Sequence, residues 1–163
     1  MSTPFTLYNF TEQIPTINVA DLSASNMTFS IGGFTIKTVT GTIKYDGTES
    51  GTESTNIFLT PSGDNLTIPK GSILTQAKIS SVKPLSPHNI PYLQVSQITT
   101  DPDGQVVDHL FEPLNVTDLD GDQYKLYINQ SPNSIQQDTV VCAKGSPLTS
   151  GTIRIDIVYQ VPV

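Results

Sequence analysis

The feature of the sequence that most constrains the fold is the alternation of apolar and polar residues in SGTIRIDIVYQVPV, residues 150–163. In an extended chain, one face of this segment carries Ile153, Ile155, Ile157, Tyr159 and Val161, and the other carries Thr152, Arg154, Asp156 and Gln160. This alternation predicts a β-strand with one buried face and one solvated face. Left unpaired, the strand would expose its apolar side chains and a row of backbone donors and acceptors. We therefore expect it to be paired within a sheet.

Composition favours β-structure throughout. The chain has 163 residues, the size of one ordinary domain, and only 14% of them are charged. Windows rich in Ala, Leu, Glu and Lys, which favour helices, are missing, whereas Ile, Val, Thr and Tyr recur in short runs between Gly, Pro, Asn and Asp. We predict eight to ten short strands and no helix, which is typical of an all-β sandwich or barrel.

The hydrophobic pattern divides the chain into two parts. Residues 1–26 are weakly patterned and are predicted to form an extended N-terminal arm or an edge strand, whereas residues 27–163 are predicted to form one β domain. Within that domain the sequence predicts a solvated loop at 46–55, turns at 61–64 and 69–71, and strands at 56–60 and 72–82.

Charge and targeting signals exclude several classes of protein. The net charge is −7, with eight Lys and Arg in all, which disfavours direct binding to nucleic acid or to an anionic membrane surface. No apolar run approaches the ~20 residues needed to cross a bilayer, and MSTPFTLYNF lacks the regions of a signal peptide. We expect synthesis in the cytosol, without membrane insertion. The single cysteine, Cys142, excludes an internal disulfide and is predicted to be a buried thiol in a strand.

The motif DLDGD at 118–122 is the one candidate for a metal site. Asp118, Asp120 and Asp122 supply closely spaced hard oxygens of the kind that calcium prefers. The EF-hand pattern fails, however, because Gly121 stands at the fourth position rather than the sixth and no glutamate occupies the twelfth. Asp-Gly between alternating apolar runs is also a common hairpin turn. We therefore predict a structural turn and keep calcium as a weak alternative.

Residues suited to catalysis are scarce. There are two histidines, and His109 cannot form a local dyad with Asp108 because adjacent residues of a strand point to opposite faces. His88 lies in a proline-flanked loop, and no nucleophile elbow or glycine-rich phosphate loop is present. A cupin-like metalloenzyme would need more histidines than these. We expect neither catalytic residues nor a cofactor, and we do not expect an enzyme.

Three stretches carry a family resemblance. LTIPKGSILTQAKI, YKLYIN and PLTSGTIRIDIVYQ resemble the single jelly-roll capsid proteins of large double-stranded DNA viruses, and within that group the chain is most similar to a penton or minor capsid protein. The resemblance covers roughly residues 27–163 and depends on turn chemistry and strand alternation. It implies a single jelly-roll β-sandwich of two facing antiparallel sheets, at an icosahedral five-fold vertex beside the major capsid protein.

The sequence therefore supports two hypotheses on function. The first is a structural virion protein that assembles with copies of itself, as a pentamer in the penton case, and with the major capsid protein. The alternative is a β-sandwich module of a viral fibre or surface structure that binds carbohydrate or a receptor. Sugar sites commonly use aromatic platforms, for which the chain offers Tyr92, Tyr124 and Tyr127 but no Trp.

Overall fold

The computed structural model describes residues 27–31, 33–47, 54–87, 92–101, 104–129 and 133–162. The predicted arm, residues 1–26, lies outside these ranges. Within them the chain forms eleven strands and one short 3-10 helix. The strands are β1 (Met27–Ile31), β2 (Phe34–Tyr45), β3 (Ser54–Ile57), β4 (Thr67–Ile68), β5 (Ile73–Ser86), β6 (Tyr92–Asp101), β7 (Gly104–His109), β8 (Leu114–Asn115), β9 (Tyr124–Ile128), β10 (Thr139–Gly145) and β11 (Ser150–Pro162).

The strands form two antiparallel sheets. The five-stranded sheet has the order β1-β2-β11-β5-β9, and the second has the order β3-β10-β6-β7, with β4 added to β10 and β8 added to β6. The eight main strands pair from the ends of the chain inwards: β2 with β11, β3 with β10, β5 with β9, and β6 with β7. This is one long antiparallel ribbon rolled into a sandwich, which is the jelly roll. The predicted all-β jelly-roll sandwich is confirmed.

Strand β11 lies at the centre of its sheet. It pairs with β2 from Gly151 opposite Tyr45 to Pro162 opposite Phe34, and with β5 on its other side. One face of β11 packs into the core between the sheets, where Ile155 is 0% exposed. The prediction that this segment is paired and buries its isoleucine face is confirmed.

The prediction of a solvated second face on β11 is correct only in part, because Thr152, Arg154 and Gln160 are partly exposed but two other residues of that face are buried. On that face Asp156 is 2% exposed and Val158 is 1% exposed. Alternation shows that the two faces of a strand differ in polarity, but it does not show that the polar face meets water. Here the polar side chains have partners within the protein, as described below.

The two sheets are joined at a corner beside Gly41. The backbone N–H groups of Thr42 and Leu59 each donate to the other residue's carbonyl oxygen, at 2.9 Å, so the chain after β3 pairs with β2. A Cβ on Gly41 would lie 2.8 Å from Leu66 Cδ2 and 2.9 Å from Phe58 Cβ. Glycine is therefore required here because Phe58 and Leu66, in the chain that follows β3, pack directly on the backbone of β2.

Turn chemistry was predicted more accurately than strand ends. The turn at 61–64 is closed by the Thr60 N–H, which donates to Asp64 O at 2.8 Å. The predicted strands at 56–60 and 72–82 correspond to β3 and β5 with shifted ends. The sequence did not predict the 3-10 helix Val116–Leu119. None of the helices in the described part of the chain is long and apolar enough to span a bilayer.

We predict that Ile155→Ala lowers the free energy of unfolding by about 2–5 kcal/mol, because it opens a cavity in a fully buried site. Ile155→Asp should abolish folding, since it buries an unpaired charge. Val82→Ala is the control, because Val82 is 57% exposed and should change stability by less than about 0.5 kcal/mol. Urea unfolding measures all three variants. A cooperatively folded Ile155→Asp variant would contradict the assigned buried face.

Candidate functional site

The carboxylates of the DLDGD motif lie in and after the 3-10 helix. Asp118 Oδ2 accepts a hydrogen bond from the backbone N–H of Asn115, at 3.1 Å, and so caps the start of the helix. The turn continues as Gln123 N–H donates to Asp120 O at 3.1 Å, with Gly121 at φ 63°. Among the residues that the structure describes, no three His, Cys, Asp or Glu side chains are placed to hold a metal ion. Calcium binding at Asp118, Asp120 and Asp122 stays a prediction without geometric support.

The two histidines are not brought into a catalytic arrangement by the described structure. His109 is exposed at the end of β7, where it lies opposite Ser96 of β6. Ser96 is 1% exposed. His88 lies outside the described residues. Within the described residues, His109 forms no ion pair with a carboxylate.

The three tyrosines considered as sugar platforms lie apart. Tyr92 begins β6 in the second sheet and is 41% exposed, whereas Tyr124 and Tyr127 belong to β9. Tyr124 and Tyr127 are three residues apart, so they point to opposite faces of the strand. The Lys78 ammonium lies 4.9 Å from the centre of the Tyr124 ring. These side chains do not form one platform.

Tyr127 is a structural residue at the edge of the sandwich. Its ring stacks on Phe111, with centroids 4.9 Å apart, and its hydroxyl donates to Glu112 O at 2.6 Å. Burial, and then the negative charges of Asp118 and Glu112, raise the pKa of Tyr127 to about 12. The hydroxyl therefore stays protonated at neutral pH and ties β9 to the chain that follows β7. A groove of about 340 Å³ runs beside this pair.

A buried polar cluster on the outer face of the five-stranded sheet is the group that sequence reasoning missed. Asp156 Oδ1 accepts hydrogen bonds from Thr40 Oγ1 at 2.6 Å, from Arg154 Nη2 at 2.8 Å and from Arg154 Nε at 3.1 Å. The Arg154 side chain is 24% exposed, whereas that of Asp156 is 3% exposed. Burying a carboxylate is costly unless it is paired. The cluster therefore depends on Arg154, which the alternation had placed on a solvated face.

Cys142 lies in β10 and is 0% exposed. Burial raises the pKa of its thiol to about 11, although the Lys144 ammonium lowers it in part. The thiol is therefore protonated at neutral pH and is a poor nucleophile. The predicted buried thiol is confirmed.

Comparisons with known proteins identify a fold rather than a family. No protein-family model matches the chain, and no curated protein matches it. A solved structure does match: a chain in the acidic stable capsid structure of Helicobacter pylori bacteriophage KHP30. The TM-score is 0.53 at 9% sequence identity, and the alignment covers 85% of this chain and 94% of that chain. The two chains share a fold. That likeness extends over most of both chains.

We predict that Arg154→Ser lowers the free energy of unfolding by about 1–3 kcal/mol, because it removes two of the hydrogen bonds to a buried carboxylate. Lys44→Ser is the matched control, because Lys44 is an exposed cation of the same sheet and should be nearly neutral. Chemical denaturation compares the two variants. Equal stabilities would show that Asp156 does not depend on Arg154.

We predict that Cys142 contributes stability that is complete below pH 9 and lost as the pH rises through about 11, because its pKa is raised from 9.0 to about 11 on folding. The loss at pH 11 is about 2–3 kcal/mol. In Cys142→Ala the decline between pH 9 and pH 11 should be smaller by that amount. Urea unfolding across this range, with reductant present, compares the slopes. Parallel declines in the two proteins would contradict the prediction.

Proposed function

We propose that this protein is a structural component of a viral capsid. The observation that supports the proposal is the jelly-roll fold, which it shares with a chain of a phage capsid structure over 94% of that chain's length. Jelly rolls also serve as lectin and cupin domains, so the fold alone does not determine the role. The poor nucleophilicity of the buried Cys142 thiol and the dispersed carboxylates favour a structural role over an enzymatic one.

The specific role that we propose is a penton or minor capsid protein at an icosahedral vertex. This choice rests on the sequence resemblance described above. It carries the expectation of a homo-oligomer, a pentamer in the penton case, in contact with the major capsid protein. The protein would be made in the host cytoplasm and reside in the virion, with residues 27–163 as the jelly-roll domain and residues 1–26 as an extended arm or an edge strand. No nucleic acid, cofactor or membrane is required.

The free edge at β9 is one surface suited to assembly. β9 is the last strand of the five-stranded sheet, and its outer backbone donors and acceptors have no neighbouring strand among those described. Ile128 is 58% exposed on this strand and Tyr124 is 45% exposed. An exposed sheet edge with apolar side chains is a template for pairing with another chain. Lys125 in the strand and Lys78 beside the Tyr124 ring border these apolar side chains.

A binding module for carbohydrate or a receptor is the alternative. The groove beside Phe111 and Tyr127 is the observation in its favour, because its lining also includes His109, Glu112 and Asn129. An aromatic wall with polar groups is typical of sugar sites. Against it, Phe111 is 9% exposed and Tyr127 is stacked on it, so neither ring presents a free face of the usual kind.

The native mass of the purified protein tests the proposal. Light scattering coupled to size exclusion, over a hundredfold range of concentration and with either calcium or a chelator, should show a discrete homo-oligomer whose mass does not depend on calcium. A pentamer would support the penton role. A monomer under every condition would contradict the homo-oligomer and favour a minor component that needs its capsid partner. A calcium-dependent species, or one that binds glycans, would favour the binding module.

A further inference from the structure

The direction of the backbone groups of β9 follows from one hydrogen bond. The Asn129 N–H donates to the carbonyl oxygen of Thr75 in β5, at 2.9 Å, one step beyond the pair formed by Gln76 and Ile128. Backbone groups in an antiparallel sheet point alternately to the neighbouring strand on one side and on the other. Every second residue of β9 therefore directs its N–H and C=O to the open side, where no described strand lies: Ile128, Leu126 and Tyr124.

The side chains of the same three residues form an apolar stripe on the outer face of the sheet. Tyr127 packs against the core, so its neighbours at 126 and 128, and Tyr124, point outward. Tyr124 is 45% exposed and Ile128 is 58% exposed, whereas Leu126 is half-buried. The open edge therefore combines backbone donors and acceptors with apolar side chains at the same positions.

We propose that β9 pairs antiparallel with β9 of a second copy of this chain, about a two-fold axis at Leu126. In this register Leu126 lies opposite Leu126 of the partner subunit, and Tyr124 lies opposite Ile128 of the partner subunit. All three open positions then form hydrogen-bonded pairs. Each such pair exchanges two hydrogen bonds, so the contact contains about six. It joins the two five-stranded sheets into one continuous sheet.

Charge selects this register. Lys125 is the one charged residue of β9, and the proposed pairing places it opposite Tyr127 of the partner subunit. A register centred on Lys125 would place two ammonium groups directly opposite each other, which is destabilising. A register centred on Tyr127 would place Tyr124 opposite a position beyond the end of β9. Only the register centred on Leu126 pairs all five residues and keeps like charges apart.

The side chains that meet across the two-fold axis are complementary. An aromatic residue opposite a β-branched one, as in the two pairs of Tyr124 with Ile128, is a favourable cross-strand pair. Lys78 lies opposite Leu126 on β5, so the two Lys78 residues would be three strand spacings apart, about 14 Å. At that distance their repulsion is screened at physiological salt. Five residues a side is short for an interface, so the dimer should dissociate on dilution.

The proposal does not rest on the capsid role, because the edge, the register and the charges are those of β9 itself. A two-fold contact uses the same surface on both copies, whereas the contacts that close a ring are head-to-tail. The β9 contact would therefore add to ring contacts, not replace them.

Cysteine pairing between two variants tests the register. Tyr124→Cys and Ile128→Cys are made separately at exposed positions, then oxidised alone and as a mixture at high concentration. Opposite residues have Cα atoms about 5.5 Å apart, which a disulfide spans. Two copies of the same residue would be four positions apart along the strand, about 14 Å. The mixture should give at least about tenfold more disulfide dimer than either variant alone. Cys142 is buried and should not contribute.

Two results of the cysteine experiment would overturn the proposal. One is the absence of a disulfide dimer in the mixture. The other is a yield of dimer from Tyr124→Cys alone, or from Ile128→Cys alone, equal to that of the mixture.

The affinity of the dimer gives a second test that needs no disulfide. Ile128→Lys places a charge opposite Tyr124 of the partner subunit and should raise the dimer Kd by about tenfold, as measured by sedimentation velocity. Val82→Lys is the matched control, because Val82 is 57% exposed on β5 and lies beyond the residues that pair with β9; its Kd should change by less than about twofold. Equal Kd values for the two variants would overturn the β9 contact. A pentamer that Ile128→Lys leaves intact would overturn it too, without contradicting the capsid role.

Discussion

The structure depends on the pairing of β11 with both β2 and β5 at the centre of one sheet. No neighbour of β11 is close in sequence: the hydrogen bond between Thr40 and Asp156 joins residues 116 positions apart. The five-stranded sheet is therefore incomplete until the last strand arrives, and closing such long loops costs entropy before any contact repays it. The same pairing gives β11 two neighbouring strands and two packed faces. Its residues therefore contribute more to the stability of the fold than those of any edge strand.

The sequence predicted the features that depend on local chemistry. Alternation in residues 150–163 identified a paired strand, and the turn residues at 61–64 and 69–71 identified real turns. Strand order was not predictable, because it is set by which distant strands meet, and alternation contains no information on that. The jelly roll came from a resemblance, and the structure then supplied the order that supports it. The helix Val116–Leu119 was missed because four residues are too few to show a period.

The candidate sites were harder to predict than the fold. The acidic motif at 118–122 was a candidate metal site because its spacing suits a metal, yet Asp118 caps a helix. No site was predicted at Asp156, because it alternates with isoleucines as a surface residue would. Its burial depends on Arg154, two residues away, and on Thr40 from another strand. The contact with Thr40 could be identified only from the fold, whereas the contact with Arg154 is local in sequence. Oppositely charged residues at i and i+2 in a strand lie on one face, so the sequence could have predicted the pairing of Arg154 with Asp156.

The position of a residue in the five-stranded sheet decides whether its partners come from the same chain. Asp156 lies on the central strand, where its carboxylate accepts hydrogen bonds from Thr40 and Arg154. Ile128 lies on β9, the last strand of the described sheet, and is 58% exposed. A chain that paired with β9 would extend the sheet without breaking any hydrogen bond between β11 and its two neighbours. Association through this edge would therefore leave unchanged the pairing on which the fold depends.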